Sequence, residues 1–292
     1  MRLKKSVGRR VFLVVNALLV ALISVVCIYP ILHILAVSFS SNEAAQGGMV
    51  NLLPVDFQLD AYEFVIGNAQ FFTSFGVSVK RTLLGLVVNM TITILAAYPL
   101  SKTRDKFSGR NKYMWFFVFT MLFSGGLIPG YLIVNATGLI DTIWALVIPS
   151  AVPVYNIILL QNYIKGLPGE ISESAYIDGA GEWSVLFRII LPLSKPVLAT
   201  LVLFAAVAHW NSWFDGMIYM NRPQNYPLQT YLQTIVVQLN LKAVTNLSDV
   251  TNIAEQNSKA AQIIIAMLPI LVVYPFLQKY FTKGIVLGSV KG

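Results

Sequence analysis

The chain has 292 residues, of which 56% are hydrophobic and 12% charged, with a formal net charge of +8. A soluble domain carries roughly 25% charged residues, so this composition excludes an ordinary water-soluble globule and predicts a protein solvated largely by lipid. Its single cysteine, Cys27, excludes an internal disulfide, and nothing suggests a metal site built on thiolates.

In chain order, a basic start, "MRLKKSVGRR", leads into a first apolar run at 11–37. That run is too long for a signal peptide and lacks a small-x-small cleavage site, so it reads as an uncleaved span. Val25 and Val26 precede Cys27, where a lipid-modified cleavage site wants Gly or Ala, so the cysteine reads as a plain buried thiol. Further spans follow at 82–101, 113–134, 142–163, 197–214 and 260–281. Each is near the ~20 residues a helix needs to cross the hydrocarbon. Backbone polar groups find no water in lipid, and the runs are continuous rather than alternating, so the fold class is all-α, with six transmembrane helices in one domain, 1–292. Between spans three and four, "SGGLIPGYLIVNATGLID" predicts a tight turn. Pro149 and Pro153 in span four, with Pro269 and Pro275 in span six, predict kinks that free backbone carbonyls inside the protein.

Six spans place both termini on one side. The amino-terminal segment, the second-to-third connection, the fourth-to-fifth connection and the tail together hold 16 of the 21 Lys and Arg. That face is predicted to be cytoplasmic, with a bacterial or archaeal plasma membrane as the location. The positive charge is thus explained by topology and anionic lipid, with no nucleic-acid partner required. Lys80 and Arg81 break the pattern: they fall on the outer side, just before span two, where long stems snorkel. Polar segments at 41–79 and 216–259 are predicted to lie outside.

The fourth-to-fifth connection, 165–196, differs from its basic neighbours, because Glu170, Glu173, Asp178 and Glu182 offset Lys165, Arg188 and Lys195. Its first part predicts a short helix that accepts Pro168 in the first turn and breaks at Gly179 to Gly181. A second helix runs from about Glu182 to Leu191 and ends near Pro192. Trp183, Leu186, Phe187 and Ile190 fall at i, i+3, i+4 and i+7 on one face, so an amphipathic helix-turn-helix is expected. Its apolar face suits the chain's own membrane domain, lipid, or a groove on another protein. The Gly179-x-Gly181 pair lacks a third glycine and a preceding strand, which argues against a dinucleotide site.

Glu173, Ser174, Ala175, Gly179, Ile189, Leu191 and Pro192 match, position by position, the pattern E-A-A-x-x-x-G-x(9)-I-x-L-P, with Ser174 in place of the middle alanine. The chain therefore resembles the membrane subunits of binding-protein-dependent ABC importers. "LAAYPLSKTRDKFSGRNKY", "WNSWFDGMIYMN" and the tail "GIVLGSVKG" are similar to the carbohydrate-uptake branch, specifically the six-span partner of the maltose-permease type. The resemblance covers nearly the whole chain; Lys80 and Arg81 depart from the Asn-Ser often found there. It implies that 165–196 is the coupling element that docks on a cytoplasmic ATPase. The implied partners are a second permease subunit in a heterodimer, two ATPase subunits and an extracellular solute-binding protein.

No G-x-x-x-x-G-K-[ST] phosphate loop occurs in the chain, so ATP and Mg are expected on the partner ATPase and no cofactor or metal on this chain. His33 and His209 lie in different spans, and neither a His-x-x-x-His pair nor a nucleophile elbow is present, which argues against catalysis. Polar groups in lipid are costly and should face an interior or a water path. Asn89, His209, Trp210, Asn211, Ser212 and Asp215 are the candidates for a translocation path, interleaved with Trp213 and Phe214. Hydroxyl-binding groups beside flat rings suit a carbohydrate. The expected function is one half of the pathway of an ATP-driven sugar importer, with an oligosaccharide as the expected solute. The alternatives are a permease of the same architecture for another solute, and, from a different class, a self-sufficient channel or an intramembrane enzyme.

Overall fold

A computed structural model describes residues 7–242 and 256–289, and among them every regular element is a helix. The predicted basic residues at 2–5 and 291, and the last residues of the "GIVLGSVKG" tail, lie outside the described residues. The helices are α1 (Val7–Ser38), α2 (Asn42–Gln46), α3 (Asp60–Gly67), α4 (Ala69–Ser101), α5 (Arg110–Leu122), α6 (Leu127–Ala136), α7 (Val154–Lys165), α8 (Gly169–Ile177), α9 (Glu182–Val185), α10 (Leu191–Leu193), α11 (Lys195–Asn211), α12 (Phe214–Tyr219), α13 (Leu228–Lys242) and α14 (Gln256–Ser289). Three helices, α1, α4 and the Gln256–Pro275 part of α14, are long and apolar enough to cross a membrane unaided. Three bent pairs raise the number to six when each pair is one span.

The third pair bends by 82° at Ser194, between α10 and α11, and the other two breaks have a visible cause. Span three is not the single helix expected over 113–134: α5 and α6 meet at 112°, where Gly126 takes φ +90°, a region glycine enters without steric cost. Span four starts as two 3₁₀ turns, Ile143–Leu146 and Ile148–Ser150, and becomes α-helical only after Pro153, with a bend of 48°. Pro149 and Pro153 remove donors from that stretch, and the kink predicted there is present. Span five, α11, stops at Asn211; Ser212 is extended, and α12 restarts the helix with Asp215 in its first turn. In span six, α14 continues through Pro269 and Pro275. Span two is longer than 82–101, because α4 begins at Ala69 and carries Lys80 and Arg81 inside the helix.

The chain divides into two compact units, Met1–Ala69 with Thr234–Met267 and Gln70–Gln233 with Leu268–Gly292. In the first, Ala36 and Val37 at the end of α1 pack with Ala44, Ala45, Val50 and Ala260. Ser40 closes this corner: its hydroxyl donates to Ala36 O at 2.7 Å and accepts from Val55 N at 3.0 Å. His33 lies 2.8 Å from Asn51 O through Nδ1, so it acts as a donor that pins the chain after α2. Cys27 is exposed on α1 rather than buried as expected, since among the described residues no helix covers that face.

The second unit has its largest core where Ala97, Leu100, Ile157, Leu160, Ile164, Val185, Leu186, Ile190 and Leu201 meet. This core joins the membrane helices α4, α7 and α11 to the predicted coupling segment, whose own apolar residues supply three of its members. Elsewhere in the unit, Asp141, at φ +61°, accepts from the backbone N–H of Asn221 at 3.0 Å and from Asn225 Nδ2 at 3.0 Å. Its backbone N–H donates to Tyr219 O at 2.8 Å. The stretch 124–141 is not the tight turn expected, because α6 fills most of it; only its end, from Thr137 to Asp141, turns, and Asp141 fastens that end to the chain after α12.

Candidate functional site

Two places in the second unit gather residues proposed from sequence. The first is an open cavity of about 980 Å³, at the upper end of the roughly 300–1,000 Å³ typical of ligand pockets. Asn89, His209, Ser212 and Asp215, four of the six path residues proposed from sequence, are among its walls. Trp210 and Asn211 are not. Trp210 is buried with its ring edge-on to Phe75, 5.6 Å between centroids, and Asn211 is exposed elsewhere. The cavity's rings are Tyr155, Phe204 and Tyr274, which sequence reasoning did not single out.

Asn89 explains how a broken helix survives in this unit. The 3₁₀ turns before Pro153 leave the carbonyls of Ser150 and Ala151 without helical partners, and Asn89 Nδ2 donates to them at 2.8 and 3.0 Å. With both protons of its amide so used, Asn89 Oδ1 must accept, and His209 Nε2 lies 2.7 Å away as the donor. The imidazole is therefore the Nε2–H tautomer. Gly85, one turn before Asn89, makes room for it: a Cβ there would collide with the His209 ring.

The expectation that Arg81 snorkels outward is overturned. Its side chain is buried, pairs with Asp215 as an ion pair, and donates through Nη1 to Ser212 O at 3.0 Å. Asp215 Oδ1 also accepts from Ser212 Oγ and Gly216 N, each at 2.9 Å. The helix break after Asn211 is what makes this possible, because it frees the Ser212 carbonyl and turns Asp215 back toward α4. Burying an arginine alone would be prohibitive, and the paired, hydrogen-bonded arrangement offsets that cost. Lys80, its neighbour, is exposed.

The second place is the segment 165–196. As expected, α8 starts after Pro168 and stops before Gly179, which takes φ +80°. Ala180 N then returns to Ala175 O at 2.9 Å, closing the turn. Ala175 and Leu191 pack against the large core, Ile189 is half-buried, and Glu173, Ser174, Gly179 and Pro192 are exposed. The second helix ends at Leu193, near Pro192 as predicted, but it is not one uniform α-helix. It runs from α9 through a π-turn, Leu186–Ile190, into α10, which contains the proline. A proline ring crowds the carbonyl four residues back in an α-helix, and the wider turn relieves that contact at Arg188.

This extra residue also splits the predicted apolar face. Val185, Leu186 and Ile190 are buried, whereas Trp183 and Phe187 are 66% and 55% exposed and stack on each other at 6.0 Å. Beyond the helix break Ile177 is 86% exposed. Three large apolar side chains thus stand on the surface of a segment that also carries the exposed Glu173.

A polar node locks the segment to α4. Glu182 Oε2 accepts from Lys102 Nζ at 2.7 Å, from Tyr176 OH at 2.9 Å and from Tyr98 OH at 2.5 Å. Lys102 Nζ also donates to the hydroxyls of Tyr98 and Tyr176 at 2.8 and 2.7 Å. Burial by itself would raise the Glu182 carboxyl, but the hydrogen bonds from Lys102, Tyr98 and Tyr176, with the Lys102 charge, hold it below the usual carboxylate range. None of these four residues was singled out as a unit from sequence. The available signal was Glu182 opposing the basic "SKTRDK" stretch that follows α4.

Comparison with known proteins follows the same lines. A family model described as "Binding-protein-dependent transport system inner membrane component" matches residues 74–286. Protein LplC of Bacillus subtilis is 45% identical over 284 residues, 97% of this chain and 96% of that one. The polygalacturonan/rhamnogalacturonan transport system permease protein YtcP of the same organism is 39% identical over 92% and 94% of the two chains. Among solved structures, a chain from a bacterial ABC transporter involved in the import of the acidic polysaccharide alginate matches with a TM-score of 0.85 and 35% identity, over 95% of this chain and 99% of that one.

Proposed function

The chain belongs to the family of binding-protein-dependent transport system inner membrane components, and from that premise we propose that it forms half of the path by which an ATP-driven importer carries an oligosaccharide through a plasma membrane. The substrate class rests on relatives whose names specify polygalacturonan, rhamnogalacturonan and alginate. The observation that carries the reading for this chain is the cavity of about 980 Å³ that gathers Asn89, His209, Ser212 and Asp215 beside Tyr155, Phe204 and Tyr274. Amide, imidazole and hydroxyl groups suit sugar hydroxyls, and the rings suit the CH faces of a pyranose.

In this proposal the second permease subunit closes the other side of the path, and an extracellular binding protein delivers the sugar. Two ATPase subunits on the cytoplasmic side hold the ATP and Mg and engage the exposed surface of 165–196, with Glu173, Ser174, Gly179, Ile189, Leu191 and Pro192 shaping that element. The large core and the Glu182 node would transmit the push to α4, α7 and α11, the helices that line the path. The catalytic work is assigned to the ATPases, and this chain supplies geometry.

The test is uptake by proteoliposomes holding the full assembly, with oligogalacturonates, alginate oligosaccharides and maltodextrins offered in turn and ATP inside. Uptake that needs ATP and all subunits is expected. Replacing Gly179 with valine, or Glu173 with lysine, should abolish uptake while membrane insertion persists. Solute flux through the purified chain alone, without nucleotide, would establish the channel reading instead.

A further inference from the structure

A second recess, of about 410 Å³, lies between the coupling segment and the ends of three membrane helices. Its walls include Lys102, Lys106, Arg110, Lys165 and Glu173. The Lys102 charge is matched by Glu182. Among the described residues, no carboxylate lies within salt-bridge distance of Lys106, Arg110 or Lys165. Lys106 rests over the Tyr176 ring at 4.7 Å, and Arg110 Nη1 donates to Lys102 O at 2.8 Å. The charges of Arg110 and Lys165 repel one another across the recess. Three cations thus face one carboxylate, Glu173, in a concave site that would hold an anion.

Position decides which anion. Ser101 is the last residue of α4, Arg110 the first of α5 and Lys165 the last of α7. All three helices are spans or parts of spans, so their ends mark the depth at which hydrocarbon gives way to headgroups. An anion at that depth comes most directly from the lipid itself. Basic pockets between membrane helices are known to favour such headgroups, at about 1 kcal/mol for each Lys or Arg near the surface.

We propose that the recess lined by Lys106, Arg110 and Lys165 binds the phosphate of an anionic phospholipid, and so ties the coupling segment to the composition of the leaflet around it. This rests on the reading of the chain as a membrane-embedded importer subunit with 165–196 at the bilayer surface. The Arg110 and Lys165 cations meet the phosphate oxygens, Lys106 closes the opening over Tyr176, and the one carboxylate of the wall, Glu173, is outnumbered by the cations.

The full chain, purified in mild detergent and placed in nanodiscs of phosphatidylcholine with or without phosphatidylglycerol, is tested by native mass spectrometry for retained lipid. Retention of phosphatidylglycerol over phosphatidylcholine is expected, reduced roughly tenfold or more by R110Q/K165Q and about fivefold by K165Q alone. Among the described residues the Lys165 side chain has no hydrogen bond to lose, so the single variant guards against a folding defect in the double one. The R104Q control, on the same loop but outside the recess, should retain lipid as the wild type does. Equal retention by wild type and K165Q overturns the proposal. So does displacement of the lipid by millimolar inorganic phosphate, which would assign the site to free phosphate, and so does weakened ATPase assembly in K165Q with lipid retention unchanged, which would assign it to an acidic side chain of the partner. The measurement uses neither ATP nor sugar, so its failure leaves uptake untouched, and a failure of uptake leaves lipid selectivity standing.

Discussion

Replacing Asp215 with asparagine should destabilise the second unit by about 3 kcal/mol, the lower end of the 3–5 kcal/mol range for breaking a buried pair by removing one partner. The side chain of Arg81 is 2% exposed and that of Asp215 24%. The guanidinium therefore keeps its charge in a poorly solvated place once its counterion is gone, while limited water access at the aspartate edge moderates the cost. The asparagine would still accept from Ser212 Oγ and Gly216 N, but its NH₂ would face the guanidinium donor to donor. Removing the arginine instead, as R81M, leaves the partly solvated carboxylate and should cost less. The double change R81M/D215L leaves no charge and should lie closest to wild type, as apolar replacements of buried pairs often do. Thermal melting of the three variants in detergent micelles tests the order. A D215N protein within about 0.5 kcal/mol of wild type, or a double variant no more stable than D215N, would refute the claim that the pair is both buried and mutually dependent.

Gly85→Ala should push the His209 ring away and break its bond to Asn89, costing about 1–3 kcal/mol in a melting assay, with H209A restoring much of it. Glu182 titrates below its ordinary value of 4.5. A depressed folded-state value means that its contribution is complete above about pH 4.5 and is lost as pH falls through the lowered value. Melting temperature should therefore drop more steeply below that pH in wild type than in E182Q; parallel curves would remove the node from the account of stability. The pair of changes W183S and F187S should leave melting within about 0.5 kcal/mol, since both rings are exposed, yet abolish co-purification of the ATPase; unimpaired co-purification would move docking elsewhere.

How much of this was readable beforehand depends on which force wrote each feature. The spans were legible because lipid excludes charge over ~20 residues, whatever the helix does inside. Their breaks at Gly126 and after Asn211 were not, because hydropathy is blind to direction. The segment 165–196 was legible in its first helix, where Pro168 and Gly179 impose local geometry, and in the end of its second near Pro192, but the apolar face of the second was misread, because a π-turn shifted the phase and turned Trp183 and Phe187 away from Leu186 and Ile190. Arg81 was misplaced because its partner lies 134 positions away; counting charge-free residues put the start of span two after it, whereas α4 carries it inside. Asn89 and His209 were picked out one by one as costly polar groups, but that they hold each other, and that Asn89 closes the carbonyls opened by Pro153, needed coordinates.

The π-turn at Leu186–Ile190 holds one residue more than α-helical phase requires. Excising a single position from it would rewind the downstream helix by about 100° relative to what precedes it. The stacked indole and phenyl could then reach the interior only by evicting Val185 and its neighbours. Length along this stretch is thus as tightly set as chemistry, and an insertion or deletion there would sever the outer grip from the inner anchor even with every side chain conserved in kind.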